Sequence, residues 1–128
     1  MATPVRHPTA GILGAFGLDA ALVVVFAAIG RASHSEAPFT GLATTAGPFL
    51  AALVAGWLLC LGWQAPRAIL LTGVPVWAVT VAGGMILRAL SGQGVQVAFV
   101  IVAASVLLLM LVGWRVVAAL ISRRRATD

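Results

Sequence analysis

The chain has 128 residues, room for one domain, and a composition that is 62% hydrophobic and only 9% charged. Soluble domains carry roughly 45–50% and about 25% of these classes, and a small domain has too much surface to hide such an excess from water. The net charge is +5, with all eight cations arginine, yet no basic stripe interleaved with aromatic residues or nucleic-acid module accompanies it. Composition therefore excludes a water-soluble domain and gives no support to a nucleic-acid partner; lipid is the expected solvent.

In chain order, residues 1–10 are polar or small, with Pro4 and Pro8, and read as a flexible tail. Four apolar runs follow at about 11–30, 41–62, 68–90 and 95–114, each close to the ~20 residues that carry a helix across ~30 Å of hydrocarbon. A β-barrel would need more strands with alternating polarity, so an all-α integral membrane bundle of four transmembrane helices is predicted. The first run is longer than a signal-peptide core and has Asp19 near its centre, which argues against cleavage.

The separators 31–40, 63–67 and 91–94 are short, so sequential helices should be antiparallel neighbours. Past Trp114 the fourth helix is expected to continue through Val116–Ile121 at the interface, with Arg115 snorkelling to headgroups. The transmembrane domain then covers 11–122, and Arg123, Arg124 and Arg125 begin a basic tail, 123–128, suited to anionic headgroups.

Arginine placement sets the orientation. Arg6, Arg67, Arg115, Arg123, Arg124 and Arg125 share one side, whereas Arg31 and Arg88, offset by Glu36, mark the other. Six against two places both termini in the cytoplasm of a bacterial plasma (inner) membrane, with the chain multi-pass. Trp57, Trp63 and Trp114 fall near span ends, where amphipathic rings favour the interface.

Asp19 carries the most information. It lies about eight residues into its span, about 12 Å deep, where a carboxylate costs roughly 2.5–3.5 kcal/mol unless it is protonated, paired or facing water. One reading is a helix-bonding group; the other is a proton or cation site. Gly14, Gly17, Ala21 and Ala28 form a small-residue seam opposite it, suited to close helix packing. If the seam docks on one helix, Asp19 needs a second partner, from this bundle or from a second copy.

In the third helix, Gly73, Trp77, Thr80, Gly84 and Arg88 share a face, with Thr80 near the depth of Asp19. Thr80 and Trp77 thus join Asp19 as a candidate proton or cation site, against a plain packing role with threonine bonded to its own helix. Pro48 and Pro75 each free a carbonyl one turn earlier and fit simple kinks. Arg31, His34 and Arg88 form a second candidate, an outer-face anion or headgroup site, against the reading that the arginines merely end their helices. Catalysis, cofactors and metals have no support: there is no phosphate loop, Cys60 is the lone cysteine, and His7 and His34 lie on opposite sides.

Several motifs fit together. The stretch Asp19–His34, P-F-L-A from Pro48, Gly56–Trp57, Trp77–Arg88 and Gly113–Arg115 resemble the actinobacterial membrane family catalogued as domain of unknown function 3054. The resemblance implies a small four-helix membrane protein with no assigned activity, and a recurrent pattern that includes Asp19, Arg31, His34, Trp77 and Arg88. Many members carry tryptophan before the proline matching Pro48, where this chain has Gly47.

The leading expectation is a small transporter-like protein using Asp19. A non-catalytic subunit or scaffold, as a homodimer or in a larger membrane complex, is the second. An outer-face lipid or anion binder or sensor is the third.

Overall fold

The computed structural model describes residues 8–33 and 40–127, and within them every regular element is helical. The helices are α1 (Pro8–Ser33), α2 (Leu42–Leu59), α3 (Val74–Leu90), α4 (Val97–Leu107) and α5 (Gly113–Thr127). A π-helical turn, Ile69–Gly73, leads into α3, and a second, Leu108–Val112, joins α4 to α5.

Four helical spans are long and apolar enough to cross a membrane: Thr9–Ala32, Leu42–Leu59, Ile69–Leu90 and Val97–Arg125. Their lengths differ in a way that positions the interior. At 1.5 Å per residue α2 reaches only about 27 Å, just short of the hydrocarbon thickness, whereas Val97–Arg125 runs about 43 Å. The hairpin of α2 and α3 is therefore shorter than the helices flanking it.

Helix bounds depart from expectation at both ends. Pro8 opens α1, because proline's missing N–H is not needed in a first turn and its φ is already helical. The residues expected as a basic tail continue α5 as helix to Thr127.

The core is a line of apolar contacts. α3 lies closest to α2, while α1 packs mainly on α2 and meets the fourth span most at the π turn Leu108–Val112. Phe49, Leu53, Val76, Leu107, Leu111 and Val23 are sealed from outside. Absent side chains allow the α2–α3 approach: a Cβ built on Gly84 would enter the Phe49 ring, and one on Gly56 would lie 3.3 Å from the Val76 Cα. Elsewhere long aliphatic side chains such as Leu70, Leu71, Leu90 and Leu109 point outward, as a lipid-facing surface requires.

Pro48 does not break α2. It lacks the N–H that would bond the Thr44 carbonyl, and Gln93 Nε2 donates to that carbonyl instead, at 3.1 Å. The side chain of the α3–α4 turn thereby ties down the start of α2.

Candidate functional site

Asp19 lies on the buried stripe of α1, with Ala15, Val23, Phe26 and Ala27. The small-residue seam is on the other side. Gly14, Gly17 and Ala21 are exposed, Ala28 is half-buried, and a Cβ on Gly14 or Gly17 would meet nothing within 4 Å. Among the described residues nothing docks on Gly14 or Gly17; the acid side does the packing.

The partner of Asp19 is Arg115. Arg115 Nη1 donates to Oδ1 at 2.9 Å and Nη2 donates to Oδ2 at 2.8 Å, with both side chains fully enclosed. Two indoles complete the shell: Trp57 Nε1 donates to Oδ2 at 2.9 Å and Trp114 Nε1 to Oδ1 at 2.8 Å. A carboxylate offers about four lone-pair positions, and all four are taken.

Arg115 is equally engaged. Its Nε donates to the Pro66 carbonyl at 3.0 Å and Nη1 also donates to the Leu111 carbonyl at 2.8 Å. Room for the side chain comes from Gly73, where a Cβ would lie 2.9 Å from Arg115 Cδ. Both π turns border this space. A π turn widens a helix locally and displaces its carbonyls, and such turns recur at functional sites.

The expectation that Arg115 reaches out to headgroups is therefore overturned. The fourth helix does not end near Trp114, so Arg115 sits about 27 Å along it from Val97, inside the bundle. Trp57 and Trp114 likewise serve the ion pair instead of an interface belt, although Trp63 is exposed.

Trp77 and Thr80 are not brought to Asp19. Trp77 Nε1 donates to the Ala104 carbonyl at 2.9 Å, joining α3 to α4. Thr80 is fully buried and its hydroxyl has no partner among the described residues, its own helix included.

A second feature lies toward the opposite end of the bundle. A cleft of about 640 Å³ opens between α1 and α4, with Arg31 and Arg88 on its walls and Phe26, Phe99, Val102 and Val106 among its apolar lining. Arg31 Nη1 donates to Thr45 Oγ1 at 3.0 Å. Arg88 Nη1 donates to Gln93 Oε1 at 3.0 Å and Nη2 to the Gly94 carbonyl at 2.9 Å. Its guanidinium also lies over Phe99, 4.3 Å from the ring centroid. These contacts hold both guanidiniums in place along the cleft. His34 lies outside the described residues.

The cleft does not reach the ion pair. None of Asp19, Trp57, Trp114 and Arg115 is part of its lining. Asp19 is about 18 Å along α1 from Arg31, so the two centres belong to different depths. Among the described residues no group of three metal-ligating side chains occurs.

A family model described as a protein of unknown function, DUF3054, matches residues 16–118. The chain belongs to the DUF3054 family. The resemblance read from its motifs is thereby established. The matched DUF3054 segment includes the whole ion-pair centre and both arginines of the cleft, and leaves Gly14 outside. No curated protein and no solved structure matches this DUF3054 chain.

The long-range partner was the feature that sequence reasoning missed. Its signal was a charge count: one acid within the spans needs one cation at its depth, and Arg115 lies on the buried stripe of Leu107 and Leu111 at spacings of four.

Proposed function

We propose that this DUF3054 protein is a membrane-embedded binding protein that holds an anionic ligand in the cleft between Arg31 and Arg88. The Asp19–Arg115 pair is the fixed pin of its bundle. The observation that carries this reading is where the charged groups stand. All four acceptor positions of Asp19 are filled inside a sealed core, whereas the two guanidiniums of the cleft line an open volume. A transporter using Asp19 would need an acceptor for a proton or cation, and none is open at that carboxylate.

With Arg115 withdrawn into the core, Arg6, Arg67 and Arg123–Arg125 against Arg31 and Arg88 still favour an outer-side cleft in a bacterial plasma membrane with both termini cytoplasmic. The reading involves ligand binding without a catalytic step.

Glycerol phosphate tests it. The purified protein in maltoside micelles should bind this probe with a Kd on the order of 1 mM by calorimetric titration, an affinity suited to a few charge-assisted hydrogen bonds. Arg31→Gln/Arg88→Gln should weaken binding at least tenfold. Equal binding by wild type and that double variant would refute the site.

A scaffold role is the second reading, favoured by the exposed seam of Gly14, Gly17 and Ala21. Small residues facing outward allow close approach of another membrane helix, including one from a second copy. Gly17→Leu should then break assembly while leaving the bundle folded.

A further inference from the structure

The cleft has walls of two chemistries, and they are arranged by depth. Its cationic part lies near the ends of α1 and α3, at Arg31 and Arg88. Its apolar part continues along α4 from Gln96 to Val106, about 15 Å at helical rise. Phe26 and Phe99 are both part of its lining.

The side of the cleft carries exposed residues. Ile29 and Val102 line it and are 54% and 55% exposed, one from α1 and one from α4. Both residues fall within membrane spans, so their exposed faces look into acyl chains and not into water. Below this level the helices close together, because Asp19 of α1 is clamped to Trp114 and Arg115 of α5. The result is a notch at the bundle edge, cationic near one membrane face and apolar toward the middle.

A small water-soluble anion would meet the positive charge and leave the apolar length uncovered. A phospholipid covers both parts. Resting on the reading that this cleft binds anions, we infer that its occupant is one anionic phospholipid of the surrounding leaflet. The phosphate sits between Arg31 and Arg88, and the start of an acyl chain lies along Phe99, Val102 and Val106. The lipid enters sideways between α1 and α4, so no gate has to move. Guanidinium is the suitable cation here, since it is weakly hydrated and hydrogen-bonds phosphate through two N–H groups at once.

The test is lipid retention by the full chain. Protein in maltoside micelles with equimolar phosphatidylglycerol and phosphatidylcholine is measured by native mass spectrometry. One phosphatidylglycerol retained per chain, with at least tenfold preference over phosphatidylcholine, is expected. Arg31→Gln/Arg88→Gln should abolish the preference, and Arg123→Gln/Arg124→Gln should keep it. Val102→Trp, which fills the apolar wall at an exposed position, should lose the lipid yet still bind glycerol phosphate. Circular dichroism checks that each variant is folded.

Equal retention of the two lipids, or a preference untouched by the cleft arginines, would overturn the inference. If glycerol phosphate displaces phosphatidylglycerol at equal concentration, the ligand is water-soluble: the lipid inference fails and the anion reading stands. If neither probe depends on Arg31 and Arg88, both fail.

Discussion

Asp19→Asn changes one atom in a side chain of nearly unchanged shape, and its effect can be worked from the bonds around it. Each carboxylate oxygen accepts one guanidinium N–H and one indole N–H. Whichever way the new amide turns, its nitrogen faces two donors, so one of Trp57 or Trp114 loses its acceptor. The charge of Arg115 loses its counter-ion inside the bundle. Removing one partner of a buried pair costs about 3–5 kcal/mol, of which an orphaned indole accounts for roughly 1–3. At 1.4 kcal/mol per tenfold, the unfolded-to-folded ratio rises by roughly two to nearly four orders of magnitude. Titration with sodium dodecyl sulfate reads this directly, because two of the four tryptophans sit at the site. Asp19→Leu/Arg115→Leu removes both charges together, at the expense of the two indole bonds and of the arginine's bonds to the Pro66 and Leu111 carbonyls. It should cost less than the sum of its single variants by about 2 kcal/mol or more. A shift under about 1 kcal/mol for Asp19→Asn, or strict additivity in the double variant, would refute the reasoning.

Two more substitutions probe the same interior. Gly73→Ala places a methyl 2.9 Å from Arg115 Cδ, and the resulting overpacking should cost about 1–3 kcal/mol in the same unfolding titration. Thr80→Val keeps the shape and deletes a buried hydroxyl that has no partner among the described residues, so stability should rise by about 1 kcal/mol.

What the sequence disclosed follows from what acts locally. Spans are a property of consecutive residues, so hydrophobic length alone located four crossings, with errors concentrated where α5 carries helix on through Arg123–Arg125. Asp19 was legible because a carboxylate at that depth has a cost whatever surrounds it. Its partner was not, because ending the fourth span at Trp114 made Arg115 look like an interfacial residue. The continuous helix to Arg125 turns that same arginine inward.

The shared face of Gly73, Trp77, Thr80, Gly84 and Arg88 meets more than one neighbour. Gly73 admits Arg115, Gly84 admits the Phe49 ring, and Trp77 crosses to α4. Periodicity fixes which residues lie together on a helix and is silent about how many neighbours share that side. The arginines at 31 and 88 were seen as emerging together, but the notch between them depends on how far α1 and α4 separate, which no local pattern encodes.

Asp19 is held by Arg115 and two indoles as a structural pin of the bundle. Dicyclohexylcarbodiimide, which enters membranes and modifies protonated carboxyls sheltered from water, tests this with little ambiguity, since the chain has three acids, Asp19, Glu36 and Asp128. Peptide mass spectrometry of treated membranes should find Asp19 unmodified in the wild type and modified in Arg115→Leu. Stoichiometric modification of Asp19 in the folded wild-type protein would contradict the account.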